Sequence, residues 1–283
     1  MTLAEVLAEA RQQIPPAEAR LLLGHVLNQT AVWIEMHRDD TLPADSHAAF
    51  AEQVSRRAAG EPVAYLLGTR EFYGRDFAVT PDVLIPRPET ELLVDLVKQK
   101  VDAGRTASIL DLGTGSGCIA VTLALELPMS RITAVDFSEA ALGVARQNAA
   151  RLGAAITFLH SDWFAGLPAQ TFDLIVANPP YIAAADPHLS QGDLRFEPVT
   201  ALTDHADGLS ALRRIVADAP ARLNPGGWLW LEHGYDQAPA VRRLLEETGF
   251  ASIEQCEDLA GIVRASGGKI PNQFTQTLQG PPT

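Results

Sequence analysis

Cysteine is nearly missing from this chain: Cys118 and Cys256 are the two in 283 residues. Two thiols cannot build a disulfide framework or a Cys-rich zinc site. Basic residues are also scarce, 22 Lys and Arg against 35 Asp and Glu, giving a formal net charge of −13 and a pI near 4.9. That balance argues against a chain held on nucleic acid mainly by phosphate contacts, which needs a basic face. It leaves room for a protein partner with a basic surface. No apolar run approaches the ~20 residues needed to cross a bilayer. The opening Met1-Thr2-Leu3-Ala4-Glu5 has no basic segment leading into an apolar core, so no signal peptide is expected. The expectation is a soluble, cytoplasmic protein off the membrane. What is present is ordinary for a globular chain: 47% hydrophobic and 20% charged residues. The length suggests about two domains, at roughly 100–200 residues each.

Residues 1 to about 75 read as a small helical bundle. Thr2 and Glu5 have capping-box spacing, and Leu3, Val6, Leu7 and Ala10 share one helical face. Pro15-Pro16 ends this helix and suits the start of the next, striped by Leu22, Leu23, Val26 and Leu27. Thr30 can cap a short helix through Trp33 and Met36, and Pro43 can open another that ends near Gly60. This part holds ten acids and seven bases and no catalytic motif. Further on, Phe77 and Val79, then Val83, Leu84 and Ile85, flank the turn signal Thr80-Pro81-Asp82. Residues 76–87 are therefore expected to form a β-hairpin connecting two domains. Pro88 suits the first position of a helix, with Glu89 and Glu91 in its first turn.

Over residues 88–283 the pattern becomes alternating strand and helix. Ile109 to Leu112, Ile132 to Val135, Ile156 to Leu159, Leu174 to Ala177 and Gly227 to Leu231 read as strands, the last after the turn Asn224-Pro225-Gly226. Ile119 to Leu125 reads as a helix, and Ser138 caps another that ends near Gly153. Alternation of this kind predicts an α/β fold, a parallel sheet covered by helices. A polar tail follows Lys269.

Asp111-Leu112-Gly113-Thr114-Gly115-Ser116-Gly117 leaves a strand and opens a helix. Its glycines permit a tight turn and close approach of a ligand to the backbone. Asp136 ends the next strand, 25 residues after Asp111. A carboxylate there can accept hydrogen bonds from both ribose hydroxyls. A lone Gly-rich turn is weak evidence for a ligand. Strand, helix and Asp136 together point to a bound nucleoside. The spacing is G-x-G-x-G, not the G-x-G-x-x-G of dinucleotide sites. Asp111 would repel a pyrophosphate but could help to hold an amino group. S-adenosylmethionine carries an ammonium, a ribose and no phosphate, and fits better. The stretch resembles the first motif of the seven-strand S-adenosylmethionine-dependent methyltransferases.

Asn178-Pro179-Pro180-Tyr181 follows the strand at 172–177. That places it at a strand's carboxyl end, where open α/β sheets bind ligands. As a bare Asn-Pro sequence it would be a turn signal. Behind an adenosine motif it has chemistry. A planar amide or aromatic amine nitrogen is poorly nucleophilic because its lone pair is delocalised. The Asn178 side-chain oxygen and the Pro179 carbonyl can each accept one of its N–H groups. Two acceptors aim the nitrogen and stabilise positive charge as it forms. Pro179 and Pro180 stiffen the backbone, and Tyr181 can stack on the flat group. No general base and no metal are needed, because a sulfonium methyl is already strongly electrophilic.

Several further stretches make the chain similar, over nearly its whole length, to one family. They are Glu61-Pro62-Val63-Ala64-Tyr65 through Gly68, Glu71-Phe72-Tyr73-Gly74, and Ile85-Pro86-Arg87-Pro88-Glu89-Thr90-Glu91. Arg195-Phe196-Glu197-Pro198 through Gly208-Leu209, Leu231-Glu232-His233-Gly234 and Asp258-Leu259-Ala260-Gly261 complete the set. With the tetrapeptide, they resemble the release-factor glutamine N5-methyltransferases, also called HemK or PrmC. The resemblance implies an N-terminal helical bundle that recognises the partner, joined by a hairpin to a Rossmann-like seven-strand methyltransferase domain. It implies methylation of the glutamine amide in the Gly-Gly-Gln motif of class 1 peptide-chain release factors; separately, a monomer is expected. The cofactor would be S-adenosyl-L-methionine and the product S-adenosyl-L-homocysteine. Gly113, Thr114, Gly115, Ser116 and Gly117 would surround the methionine part, Asp136 the ribose and Trp163 the adenine. Phe137 could also pack on the adenine. Asn178 would border the cofactor and, with Pro179, Pro180 and Tyr181, bind the glutamine side chain.

Blander roles are open for other residues. Glu89, Thr90 and Glu91 could simply cap a helix, Arg87 could pair an acid, and Glu197 could brace its loop. His233 suits packing better than base chemistry, and Cys118 suits the core. The stretch Ile182 to His205 is long with few element signals, which in a compact domain points to a functional loop. Rival activities remain. An adenine-N6 DNA methyltransferase can use the same tetrapeptide, but it needs a basic groove, and residues 76–283 carry 25 acids and 15 bases. A methyltransferase of ribosomal proteins or small molecules, or a non-catalytic S-adenosylmethionine-binding protein, is also conceivable; the intact tetrapeptide weighs against the last.

Overall fold

The computed structural model describes residues 1–101, 104 and 106–272. Five helices open the chain: α1 (Leu3–Ala10), α2 (Pro16–Leu27), α3 (Ala31–Met36), α4 (Ala44–Ala58) and α5 (Val63–Leu67). The expected caps are present. Thr2 and Glu5 close a reciprocal capping box on α1, and the Thr30 hydroxyl accepts from the Trp33 N–H at 3.1 Å. Leu3, Val6, Leu7, Leu22, Leu23, Ile34, Phe50 and Val54 form the bundle's own core.

A hairpin follows, but not where the turn signal put it. Its strands are β1 (Thr69–Phe72) and β2 (Arg75–Ala78), paired antiparallel around Tyr73-Gly74. Both turn residues have positive φ, 52° and 75°, the twist that a two-residue hairpin turn needs. Thr80-Pro81-Asp82 does turn: the Thr80 carbonyl accepts from the Val83 N–H at 3.1 Å. Residues 83–87 then run on without a strand partner, so the expected pairing across 76–87 does not form. Val83 and Ile85 instead bury against Tyr65, Ala141 and Val144, and the Tyr65 hydroxyl donates to the Val83 carbonyl at 2.7 Å.

After a single turn at Pro88–Thr90, the remaining chain runs α6 (Glu91–Lys100), β3 (Ser108–Leu112), α7 (Cys118–Glu126), β4 (Arg131–Asp136), α8 (Glu139–Leu152), β5 (Ile156–His160) and β6 (Phe172–Ala177). It continues with α9 (Val199–Leu202), α10 (Ser210–Asp218), β7 (Leu223–Glu232), α11 (Ala238–Glu247), β8 (Ala251–Glu257) and β9 (Val263–Lys269). Seven strands lie in the order β5-β4-β3-β6-β7-β9-β8. The first five are mutually parallel, while β9 pairs antiparallel with both β7 and β8. Two apolar cores cover the sheet's faces, one around Leu93, Ile109, Leu123 and Trp230, the other around Leu110, Ile175, Leu212 and Leu231. The order of connection reverses between β3 and β6, so these neighbours form the switch point at whose carboxyl edge such sheets bind ligands.

Three details differ from the sequence expectation. Asn224-Pro225-Gly226 does not precede β7 but lies within it as an irregularity, because Leu223 pairs with Phe172 and Trp228 with Leu174. The antiparallel β8 and β9 had no distinct signal. The long stretch after Tyr181 is not bare loop: it holds two 3₁₀ segments, Pro187–Ser190 and Gly192–Phe196, and α9. Part of the polar tail lies outside the described residues. Among the described residues no helix is long and apolar enough to cross a membrane.

Candidate active site

A cavity of about 540 Å³ opens at the carboxyl ends of β3, β4 and β6. This is ample for a nucleoside-sized ligand. Gly113, Thr114, Gly115 and Ser116 form one wall, Asp136 and Phe137 a second, Asp162 and Trp163 a third, and Asn178 with Pro180 a fourth. Two sequence motifs 60 residues apart meet here because Leu112 and Ala177 are partners in register on adjacent strands.

The glycine turn is shaped for different purposes at each position. Gly113 has φ +71°, and an added Cβ would press on the Trp163 ring at 3.3 Å. Gly115 has φ +55° and open space before it, and its N–H donates to Asp136 Oδ2 at 2.8 Å. Gly117 stands behind the lining. A Cβ there would meet Ala145 at 3.1 Å, so this glycine lets α8 pack closely. Asp136 is pinned by two backbone donors, Gly115 on Oδ2 and Ser138 on Oδ1, the latter at 2.9 Å. Each oxygen keeps a second lone pair for another donor. Burial raises its pKa, and the two N–H bonds act against that rise.

Asp111 lies beneath the glycines at 0% exposure. The Thr114 hydroxyl donates to its Oδ2 at 2.7 Å, while Oδ1 has no partner. Burial pushes the carboxyl up to about 7, against the pull of the Thr114 hydroxyl. Trp163 takes φ +51°, rare for so large a side chain. The Ser161 hydroxyl secures that turn by donating to the Trp163 carbonyl at 2.6 Å and accepting from the Gly166 N–H at 2.8 Å. Phe137 stands exposed on the cavity rim.

The tetrapeptide is held from several distant elements. Asn178 Nδ2 donates to the Thr90 hydroxyl at 3.1 Å. Pro180 lines the cavity beside Asn178. The Tyr181 ring is partly buried against the second apolar core, and its hydroxyl donates to Glu232 Oε1 at 3.3 Å. Burial pushes the Tyr181 phenol above its ordinary pKa, and Glu232 adds to the rise. Gln237 Nε2 bridges the Tyr181 and Gly208 carbonyls at 3.0 and 3.2 Å. Gly208 has φ +80° and leaves a Cβ no room, 2.4 Å from the Tyr181 carbonyl.

The remaining residues singled out in the sequence have packing or pairing partners, and Arg87 and Cys118 also line the cavity. Arg87 pairs with Glu197, whose other oxygen accepts from the Ile85 N–H at 3.0 Å. His233 is fully buried between the Gly234 carbonyl and the Ser266 hydroxyl, and burial lowers its pKa. Burial pushes the Cys118 thiol up to about 12. The sequence reading did not find Gln237 or the role of Glu232; each is separated from the tetrapeptide by more than 50 residues. Among the described residues no cluster of His, Cys, Asp and Glu could hold a metal.

A seven-strand sheet with a glycine turn and an acid-tipped neighbouring strand at its switch point defines a Rossmann-like methyltransferase. Solved structures agree on the fold: a methyltransferase from Pyrococcus furiosus superposes with TM-score 0.55 at 18% identity, over 78% of this chain and 99% of that one. The family model "Methyltransferase small domain" matches residues 88–192, and "PrmC N-terminal domain" matches residues 2–68. The chain is 54% identical over 258 residues to the release factor glutamine methyltransferase of Bordetella pertussis, covering 91% of this chain and 96% of the relative. The enzyme of the same name from Burkholderia pseudomallei is also 54% identical, over 90% and 92% of the two chains. This chain belongs to the release factor glutamine methyltransferase family.

Proposed function

We propose that the chain methylates the side-chain amide of the Gly-Gly-Gln glutamine in class 1 peptide-chain release factors, using S-adenosylmethionine. The observation that carries this is the Asn178 amide, fixed through Nδ2 on Thr90 at the cavity that the glycine turn also lines. Its Oδ1 makes no hydrogen bond with the described residues and is a free acceptor. The Pro179 carbonyl is likewise unused by backbone donors. Two fixed acceptors suit the two N–H groups of a primary amide.

The remaining walls suit the cofactor. The unpartnered Asp111 Oδ1 is an acceptor for an ammonium, Asp136 has two lone pairs for ribose hydroxyls, and Trp163 and Phe137 offer faces for an adenine. S-adenosylmethionine supplies an electrophilic methyl group, whose C–S bond breaks as the C–N bond forms. Asn178 and the Pro179 carbonyl hold the nitrogen in line and stabilise its growing positive charge. The surplus proton leaves to solvent, so no base is required. Pro180 stiffens this presentation and Tyr181 braces it from behind.

The helical bundle adds partner surface, consistent with its exposed Val32 and Met36. The enzyme works as a monomer in the cytoplasm without binding nucleic acid directly, in keeping with its net charge of −13. The test is transfer of labelled methyl to intact release factor and to one with Gln→Ala in the Gly-Gly-Gln loop. Label on the first alone is expected; equal labelling of both overturns the assignment.

A further inference from the structure

Arg57, near the end of α4, joins the helical bundle to the wall of the cavity. Its Nε and Nη2 donate to the Glu18 carboxylate of α2 at 2.7 and 3.2 Å, a two-point contact that fixes the guanidinium within the bundle. Nη1 is left pointing away from α2. It donates to Asp193 Oδ1 at 3.0 Å, across 136 residues of chain. Asp193 belongs to the second 3₁₀ segment, in the long stretch after the tetrapeptide. Gly60 makes this approach possible. It has φ +103°, and a Cβ there would overlap the Arg195 guanidinium and lie 3.4 Å from the Phe196 ring.

The segment tied in this way continues into the cavity. Phe196 packs on the cluster of Tyr65, Val83, Ile85 and Val144. Glu197, 3% exposed, is held by Arg87 and by the Ile85 N–H at 3.0 Å. The next residues, Pro198, Thr200, Ala201 and Thr203, line the cavity. α9 then returns to the catalytic turn: the Ile182 N–H donates to the Leu202 carbonyl at 3.0 Å, and Ile182 bridges Thr203 as a parallel pair. Ile182 directly follows Tyr181. The wall at 198–203 therefore stands beside the tetrapeptide. α9 is four residues long, too short a helix to hold its own position. Its placement depends on what grips the chain at its two ends.

We infer that Asp193, gripped by Arg57, is a positioning residue for methyl transfer: through it the bundle holds the 198–203 wall in place, and that wall keeps the substrate amide aligned on Asn178. Neither Arg57 nor Asp193 lines the cavity, so the effect passes along the chain between Asp193 and the wall. The Asp193 side chain is 46% exposed, so its pair with Arg57 meets water. Such a pair is a modest contact. Releasing it widens the range of wall positions without emptying the site. Small displacements of reacting groups are felt in the rate. The loss therefore falls on kcat, while the glycine turn and Asp136, which Asp193 does not touch, keep their hold on the cofactor.

This inference rests on the amide-methylation reading above, and the experiment separates the two. Full-length wild type, Asp193→Ala and Asp193→Glu are compared for kcat and KM on release factor, for cofactor Kd, and for backbone hydrogen exchange without substrate. Asp193→Ala removes the carboxylate from a half-exposed position. It is expected to lower kcat about fivefold, the scale of one such ion pair, with release-factor KM and cofactor Kd within about twofold. Exchange should quicken at the Ala201 and Thr203 amides, which donate to the Pro198 and Val199 carbonyls. Asp193→Glu keeps the charge and should retain most of the wild-type kcat. In an Arg57→Gln background, Asp193→Ala should cause no further loss; an equal fivefold loss there overturns the inference. Wild-type kcat or unchanged exchange in Asp193→Ala overturns it even if Arg57→Gln does not fold. An Asp193→Glu enzyme as impaired as Asp193→Ala overturns it too. An inactive wild type instead refutes the amide-methylation reading, and the exchange comparison still decides whether Asp193 holds the wall.

Discussion

Gly208→Ala should damage turnover through a contact of backbone on backbone. Gly208 sits at φ +80°, and a Cβ would lie 2.4 Å from the Tyr181 carbonyl and 3.1 Å from the Ala183 nitrogen. Ordinary van der Waals contact begins near 3.4 Å, so one partner must move by about 1 Å. Neither atom is the end of a flexible side chain. The left-handed backbone costs an L-residue about 1–2 kcal/mol, and overpacking typically adds about 1–3 kcal/mol. A total near 3 kcal/mol corresponds to a Tm loss of roughly 6–12 °C for a chain of this size. Gly74→Ala isolates the strain, since Gly74 has φ +75° with nothing within 4 Å; it should cost only roughly 2–8 °C. A misplacement near 1 Å at reacting groups costs on the order of 10²-fold in rate. Gly208→Ala should therefore lose about that factor in kcat, with cofactor Kd little changed because the glycine wall follows β3, away from Gly208. Thermal melts, isothermal calorimetry and single-turnover methyl transfer measure the three quantities. Equal Tm losses in the two variants, together with wild-type turnover in Gly208→Ala, would refute the reasoning.

Asn178→Ala should leave cofactor binding within a few-fold by calorimetry and lose roughly 10²–10³-fold in kcat, as removal of one charge-stabilising group does elsewhere; lost binding with retained turnover would reverse the assigned roles. Asp111, with its carboxyl pushed up to about 7 by burial, should make cofactor affinity depend on pH. A cationic ligand selects the ionised carboxylate, so affinity is full above pH 7 and declines as pH falls below it, by up to about tenfold per unit. Asp111→Asn should bind more weakly and flatten that profile; an unchanged slope in the variant would remove Asp111 from ammonium binding.

The fold was most legible where one local rule decides a boundary. Thr2 with Glu5, Thr30 and Ser138 cap their helices as their side chains dictate. The hairpin was misplaced because Thr80-Pro81-Asp82 is a stronger turn signal than Tyr73-Gly74. Pairing followed the weaker signal, since residues 83–87 are drawn into contact with α5 and α8 instead. β9 escaped detection because two glycines interrupt its pattern. The structure explains both: a Cβ on Gly267 would lie 2.5 Å from the Trp230 ring, and one on Gly268 would lie 2.9 Å from Phe250. These glycines look like breakers in the sequence and are packing surfaces in the sheet.

The candidate site divides along the same physical line. Residues that contact a ligand through a strand end and its following turn are clustered in sequence, because the turn itself creates the geometry. Gly113, Gly115, Asp136, Asn178 and Pro180 were readable as candidates for that reason, and they line one cavity. Residues that orient those groups come from wherever the fold delivers a neighbour. Thr90, Glu232 and Gln237 reach the tetrapeptide by hydrogen bonds across 88, 51 and 56 residues of chain, and Gly208 is tied in through Gln237. No spacing rule links them, and each has an ordinary alternative as cap, turn, strand end or helix start. The same separation hides the partner of Tyr181, whose hydroxyl donates to Glu232 on the neighbouring strand β7. A tetrapeptide can specify which groups a reaction needs; the polarity and aim of those groups depend on contacts that only the folded sheet provides.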